Sequence, residues 1–369
     1  MTPAAPRDGA LMRRALRLAR RGWGQTAPNP MVGAVVVRDG QVVGEGYHAR
    51  FGDAHAEAVA LAQAGERARG ADVYVTLEPC NHHGKTPPCA DALVAAGVRR
   101  VIIAVADPNP EAAGGIDRLK AAGIAVDVGV EAEAAAELNA PFLFSHVRRD
   151  RPFVTLKLAL SLDGAIAPGD GTQRWLTGEA ARKLVHRQRA GADAILVGIG
   201  TALTDDPALT VRSGKRPRVA PRRLVLDRDA RLPLKGQLAR GARKVPVEVL
   251  TGETAPSERV EALRDRGVLV QPAASLESHL AGLRERGVRH LYVEGGAGVA
   301  GALLSAGYVD RLIIFRAPVL LGAGALAGLG TVVPPAGHGD RWTLVESSPV
   351  GDDLVSVYRP AAADSTRDP

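Results

Sequence analysis

Aromatic residues are scarce in this chain: five Phe, five Tyr and three Trp, 4% of 369 residues. Its cores must therefore be built largely from Ala, Val and Leu. The shortage also argues against a single-stranded nucleic-acid binder, which needs aromatic stacking platforms along a basic groove. Cysteine is nearly absent too, with only Cys80 and Cys89. Two thiols supply no disulfide framework and fit a reducing, cytoplasmic setting. No run reaches the roughly 18 apolar residues of a membrane helix. The most apolar stretch, RLIIFRAPVLLGAGALAGLG, is broken by Arg316, Pro318 and several glycines. The N-terminal MTPAAPRDGALMRRALRLARRGW has no apolar h-region, so a secretory leader is not expected.

What is present fits two globular domains. The length is about twice that of a typical domain. A hydrophobic content of 46% and a mean hydropathy near zero supply two cores. The net charge of +7 and pI of about 9.7 suit nucleic acid, anionic lipid or phosphorylated small molecules. The arginines are scattered, as in RRLVLDRDARLPLKG, and solvated basic faces explain them as well.

Strand-like and helix-like segments alternate from end to end, which argues for α/β layers around largely parallel sheets. Leu11–Arg21 has amphipathic helical spacing, and MVGAVVVRDGQVVGEGYH reads as a hairpin turning at Asp39-Gly40. HAEAVALAQAG and CADALVAAGV read as helices stopped by Gly65 and Gly97. EAEAAAELNAPFLFSHV reads as one closing helix, and the charged joint RRDRP at 148–152 separates a second α/β series that ends on LVSVYRP. The expected division is 1–147, 148–360 and a flexible tail at 361–369.

The densest chemical signal lies in the first half. His55 and Glu57 stand two residues apart at a helix start, Cys80 follows a proline after a strand, and Cys89 opens the next helix. Zinc takes imidazole nitrogen and thiolate sulfur in a tetrahedron, and three protein ligands leave the fourth position open for water, as catalytic sites require. Helix N-termini favour thiolates. Glu57 is placed to take the proton of the activated water and return it to the ring nitrogen and leaving amine of a nucleobase-like substrate. The alternative, a core histidine with two buried cysteines, must explain why both cysteines of the chain fall in one motif.

HAEAVAL…YVTLEPCNHHGKTPPCADALVAAGV resembles the deaminase half of the bifunctional riboflavin-biosynthesis deaminase/reductase family. Eight residues, NHHGKTPP, separate the cysteines, where nucleoside and tRNA deaminases carry two. APNPMVGAVVV, GEGYHARFGDAHAE and ADPNP also match the family. The resemblance implies a cytidine-deaminase-like three-layer α/β/α domain with one zinc per chain. It places substrate contacts at Asn29, His48, His82, Lys85, Asp107 and Asn109, with Lys85 on the ribosyl phosphate. Taken singly, Asn29 between two prolines also reads as a turn residue, and His82 and His83 as loop histidines. After DPNP the chain reads EAAGGIDRL, where the family carries a Gly-x-Gly step.

In the second half, YVEGGAGVAGALL places Gly296, Gly298 and Gly301 in a G-x-G-x-x-G turn between a strand and a helix, a phosphate-cradling arrangement. No acidic residue follows in 314–330, and the turn lies late in the domain, so a Rossmann fold is not expected. GADAILVGIGTALTDDPALTVR reads from its residues as a buried strand and an acid-bearing turn. With LKLALSLDG and WLTG it also resembles the reductase half of the same family. That resemblance implies a dihydrofolate-reductase-like α/β domain using NADPH. Cofactor contacts fall on Ala159, Trp175, Thr201, Asp205 and Gly296, Ala297, Gly298, Val299, Ala300, Gly301 and Ala302. Substrate contacts fall on Gln173, Arg189, Leu209, Arg212 and Glu294. Gln173 stands where a serine is common, and Arg228 where a small hydroxyl often follows VLD; Arg228 is assigned to the 2′-phosphate of the cofactor.

The expected function is hydrolytic deamination of 2,5-diamino-6-ribosylamino-4(3H)-pyrimidinone 5′-phosphate, followed by NADPH-dependent reduction of the ribosyl group to ribityl. The resembled family assembles into oligomers, and neither nucleic acid nor membrane is an expected partner. Two other readings compete: a nucleic-acid base deaminase fused to a binding domain, and a zinc-stabilised scaffold. The first needs a two-residue cysteine spacing and an aromatic groove, and the second gives Glu57 no task.

Overall fold

The computed structural model describes residues 6–82, 87–169, 175–329 and 341–361. Lys85, Gln173 and residues 362–369 of the tail lie outside them. Two compact units form: Met1–Arg149 with Pro217–Val219, and Asp150–Arg216 with Ala220–Pro369. The assignment of three residues from the middle of the chain to the first unit has no counterpart in the sequence pattern.

The first unit begins with α1 (Pro6–Ala19) and the hairpin β1 (Gly33–Arg38) and β2 (Gln41–Tyr47). Asp39 and Gly40 both take positive φ, 48° and 78°, as a two-residue hairpin turn demands. There follow α2 (Ala56–Ala64), β3 (Asp72–Val75), α3 (Cys89–Ala95), β4 (Arg100–Ile103), α4 (Gly115–Ala121), β5 (Ala125–Val128), α5 (Ala132–Leu138) and α6 (Ala140–Val147). The sheet order is β2-β1-β3-β4-β5, antiparallel across β1 and parallel from β3 to β5.

Strand alternation explains the three layers. Ala34 and Val36 of β1 face α2, α3 and α4, while Val35 and Val37 face α1 and α5. Helix α2 lies directly on β2 because two glycines admit it. A Cβ at Gly44 would come within 2.2 Å of the Ala60 carbonyl oxygen, and one at Gly46 within 2.2 Å of that of Ala56. The single closing helix expected from sequence is instead two. Pro141 has no N–H to continue α5, and the buried Asn139 between them holds Met31, accepting from its N–H (2.9 Å) and donating to its carbonyl (2.8 Å).

The second unit runs β6 (Phe153–Leu160), β7 (Ala165–Ala167), α7 (Glu179–Arg189), β8 (Ala194–Gly198), α8 (Ile199–Asp205), β9 (Arg222–Leu226) and α9 (Gln237–Arg240). It continues through β10 (Val247–Thr251), α10 (Ser257–Asp265), β11 (Leu269–Pro272), α11 (Leu276–Glu285), β12 (His290–Val293), α12 (Ala297–Ser305), β13 (Arg311–Arg316), β14 (Leu326–Ala327), β15 (Trp342–Val350) and β16 (Asp353–Pro360). Nine strands order as β11-β10-β9-β8-β12-β6-β13-β16-β15, all running one way except β16, which is antiparallel to both β13 and β15; β7 and β14 pair separately. Wholly buried strands such as AILVG are what a parallel sheet covered on both faces requires. Helices α11 and α12 cover one face and α8, α9 and α10 the other, where α7 packs beside them against Tyr292 and Phe315. Strand β15 was not anticipated, because its residues are nearly all exposed and give no in–out alternation.

Two adjacent parallel strands, β8 and β12, send their following helices to opposite faces of this sheet. The crevice beyond their C-terminal ends is the topological switch point, where open α/β sheets bind ligands. Among the described residues, no helix is long and apolar enough to cross a membrane.

Candidate functional site

In the first unit, His55 is the N-cap of α2, and Glu57, buried, lies in its first turn. Cys89 opens α3, and Cys80 lies on the loop after β3. Their ligand atoms all lie within 4.8 Å of one another. The His55 Nδ1 atom is 3.6 Å from Cys80 Sγ and 3.3 Å from Cys89 Sγ. Tetrahedral zinc, with Zn–S about 2.3 Å and Zn–N about 2.0–2.1 Å, sets such pairs roughly 3.6 Å apart, so the donors present fit zinc.

The electrostatics fit as well. Hydrogen bonds from Cys89 and His55 hold the Cys80 thiol well below the usual range, and the Cys89 backbone N–H also donates to its sulfur (3.4 Å). Cys89, bonded to Cys80 and buried, keeps the proton the pair shares. Burial pushes the Glu57 carboxyl up to about 7, within reach of a group that takes and returns a proton near neutral pH.

Several of the expected substrate contacts other than Lys85 lie near this centre. The buried His48 packs edge-on to His55 with ring centroids 5.5 Å apart, and burial lowers its pKa. Its Nδ1 faces the Ala54 carbonyl (3.2 Å), so that nitrogen carries the proton and Nε2 accepts from Asn29 Nδ2 (3.3 Å). The Asn29 amide is thereby oriented with its oxygen left to accept from a ligand. The Asp107 carboxylate accepts from the Asn109 N–H (2.9 Å), and burial raises its pKa. His82 is exposed and close enough to act on the Asp107 charge.

In the second unit, the switch-point crevice collects most of the expected residues. Thr201 and Asp205 lie on α8, directly after β8, and Gly296 is the N-cap of α12. A Cβ on Gly296 would lie 3.5 Å from Thr201 Oγ1, and the place of one on Gly298 is open, so the turn can receive a phosphate against bare backbone. Ala297, Val299 and Ala302 are at least partly accessible, whereas Ala300 and Gly301 are buried, where they seat α12 on the sheet. Trp175 is 59% exposed, with the Arg182 guanidinium 5.6 Å from its ring. Arg228 is exposed just beyond the C-terminal end of β9, the neighbour of β8.

Arg189 and Glu294, 105 residues apart in sequence, form a largely buried two-pronged pair: Nη2 to Oε2 at 2.8 Å, a second bond from Nε to Oε1, and Nη1 to the Thr210 carbonyl at 3.0 Å. Burial works to raise the Glu294 pKa, but the charge and hydrogen bonds of Arg189 outweigh it and hold the carboxyl below its usual value. Arg189 is therefore already engaged, while Arg212 is exposed. The Leu209 side chain is buried in the core at φ 50°, which leaves only its backbone to meet a ligand.

Lys157 escaped the sequence reading, although it is the one charge in the apolar strand FVTLKLAL. It shares a face of β6 with Ala159, burial lowers its pKa, and it feels Glu294, Arg189 and Asp205.

Comparison with known proteins agrees with both halves. The model of the cytidine and deoxycytidylate deaminase zinc-binding region matches residues 6–105, and that of the RibD C-terminal domain matches residues 152–356. The riboflavin biosynthesis protein RibD of Aquifex aeolicus is 44% identical over 356 residues, 95% of this chain and 98% of the relative. The chain belongs to the RibD family. RibD of Escherichia coli is likewise 44% identical, over 86% of this chain and 89% of its own length. Among solved structures, Acinetobacter baumannii RibD superposes with a TM-score of 0.81 at 39% identity, covering 96% of this chain and 99% of that one. A Thermotoga maritima diaminohydroxyphosphoribosylaminopyrimidine deaminase/5-amino-6-(5-phosphoribosylamino)uracil reductase gives 0.80 at 35%, with the same coverage. Membership in the RibD family makes this chain a deaminase and a reductase in one, of riboflavin biosynthesis.

Proposed function

We propose that this chain carries out two consecutive steps. It deaminates 2,5-diamino-6-ribosylamino-4(3H)-pyrimidinone 5′-phosphate hydrolytically, then reduces the ribosyl group of the product to ribityl with NADPH. The observation that carries the first step is the His55, Cys80 and Cys89 triangle with the buried Glu57 carboxyl in the same helix turn as His55. One zinc held by these three residues would supply Lewis-acid activation of water. Glu57 takes the proton that water gives up and passes it to the ring nitrogen, then takes the proton of the newly added hydroxyl and delivers it to the amine, which leaves as ammonia. Asn29 and His48 hold the pyrimidine, Asp107 and Asn109 take its polar edge with His82 beside them, and Lys85 meets the phosphate.

For the second step, NADPH would supply a hydride to the anomeric carbon of the sugar, opening the ring to the ribityl chain. Thr201, Asp205 and the 296–302 turn hold the cofactor, with Ala159 and Trp175 beside it and Arg228 on its 2′-phosphate. Arg212 takes the substrate phosphate, with Gln173 and the Leu209 backbone alongside. Glu294, fixed by Arg189, and Lys157 present one acceptor and one donor to the reacting end. The acting species is a homo-oligomer acting on small molecules in the cytoplasm.

The test is to supply the purified protein with the diamino substrate and follow ammonia, then NADPH absorbance. Ammonia followed by NADPH loss is expected. Ammonia without NADPH loss overturns the reductase assignment, and no ammonia from zinc-loaded protein overturns the deaminase assignment.

A further inference from the structure

The loop that carries Asp107 and Asn109 is fastened to the metal loop by one side chain. Glu78 lies two residues before Cys80 and is 7% exposed. Its own N–H donates to the Val105 carbonyl (2.9 Å), extending the pairing of β3 with β4. Its carboxylate accepts three backbone N–H groups: Oε2 from Asp107 (3.1 Å), and Oε1 from Gly114 (3.0 Å) and Ile116 (3.0 Å). The Asn81 N–H, on the other side of Cys80, donates to the Ala112 carbonyl (2.9 Å).

The double glycine answers the same contact. Gly114 takes φ 98°, and a Cβ on Gly115 would lie 1.8 Å from the Pro79 carbonyl oxygen, so α4 starts in direct backbone contact with the metal loop. Within the loop, Asp107 Oδ1 accepts from the Asn109 N–H and Asn109 Oδ1 from the Glu111 N–H (3.2 Å). These bonds shape the loop internally, whereas the Glu78 carboxylate, the Asn81–Ala112 bond and the Gly115 contact tie it to the segment that carries Cys80.

We infer that Glu78 is a positioning residue for deamination: it holds Asp107 and Asn109 at a fixed distance from the zinc ligands, and so sets the affinity for the pyrimidine. The inference rests on the deaminase reading above. It separates the task of Glu78 from that of Glu57, since Glu78 moves no proton and its oxygens are filled by three backbone donors. A charged acceptor that satisfies buried N–H groups is not replaceable by an amide of the same shape, because the amide turns an NH2 toward at least one donor.

The experiment compares Glu78→Gln and Gly115→Ala with the unaltered chain. Three quantities are measured: zinc per chain, steady-state ammonia release, and NADPH oxidation with the deaminated intermediate supplied directly. Both variants are expected to keep zinc and the NADPH rate. Both should raise KM for the diamino substrate at least about tenfold, the scale of one hydrogen bond to a charged group, with a smaller change in kcat. Loss of zinc, or a fall in kcat at constant KM, would assign Glu78 to the metal loop alone and overturn the inference. Unchanged kinetics in either variant would overturn it too. Absence of ammonia from the unaltered zinc-loaded chain would instead sink the deaminase reading itself.

Discussion

Replacing Arg189 with methionine keeps most of the side-chain volume and removes the charge that faces Glu294. The side chains of the pair are 11% and 14% exposed, so the carboxylate left behind is not rehydrated. Breaking a buried pair by removing one partner costs about 3–5 kcal/mol. Lys157 still acts on Glu294, which favours the lower end, about 3 kcal/mol. For a unit of this size each kcal/mol moves the melting temperature by about 2–4 °C, giving a loss of about 6–12 °C near neutral pH. The loss depends on pH, with a definite sign. In the unaltered chain the Glu294 pKa is held below its usual value, so its contribution is present above the usual carboxyl pKa and fades on acidification. In Arg189→Met, burial acts without that opposition and raises the pKa, so the variant gains stability as pH falls and the carboxyl protonates. Calorimetry at pH 7.5 and pH 5 should therefore show a gap that narrows at the lower pH. An equal gap at both values, or one under about 2 °C, would mean the pair is screened by water and refute the reasoning.

Other outcomes follow from the same geometry. Glu57→Ala should lower ammonia release by about 10²–10⁴-fold while metal analysis finds zinc unchanged; zinc lost together with activity would make Glu57 a structural group. Gly46→Ala forces a Cβ to within 2.2 Å of the Ala56 carbonyl and lifts the start of α2. Zinc should then leave faster to a chelator and ammonia release should drop, with NADPH oxidation unaffected; an unchanged chelation rate would show that α2 tolerates the shift. Arg228→Ala should reduce the preference for NADPH over NADH by about tenfold or more in equilibrium binding, and an unaltered ratio would remove Arg228 from the cofactor site.

The clustering of His55, Cys80 and Cys89 was legible in the sequence because each part of its geometry is local. His55 and Glu57 share a helix start, and Cys80 and Cys89 frame one loop, so spacing and residue type carried the information. Glycine stops behaved the same way, with positive φ at Gly65 and Gly97. What escaped depends on partners far along the chain. The Arg189–Glu294 pair closes over 105 residues and changes what Arg189 is free to do. Glu78 looks like one more acid in LEP until α4 brings the Gly114 and Ile116 N–H groups to it. The break at Asn139 is set by Met31, 108 residues away, and no period within EAEAAAELNAPFLFSHV contains it. Strand β15 is defined only by its ladder to β16.

The concentration of both thiols of the chain in one metal triangle has a redox consequence. With zinc in place the chain would have no uncommitted thiol, so a thiol-reactive dye should find nothing to label, and the label taken up counts the fraction of chains without metal. Once the metal leaves, Cys80 is an activated thiolate with Cys89 as its neighbour, the arrangement in which an oxidant turns two thiols into a disulfide. Such a bridge would bar zinc from returning until a reductant opened it. Unit two has no cysteine to oxidise, so oxidation would silence ammonia release and leave the NADPH-consuming half intact.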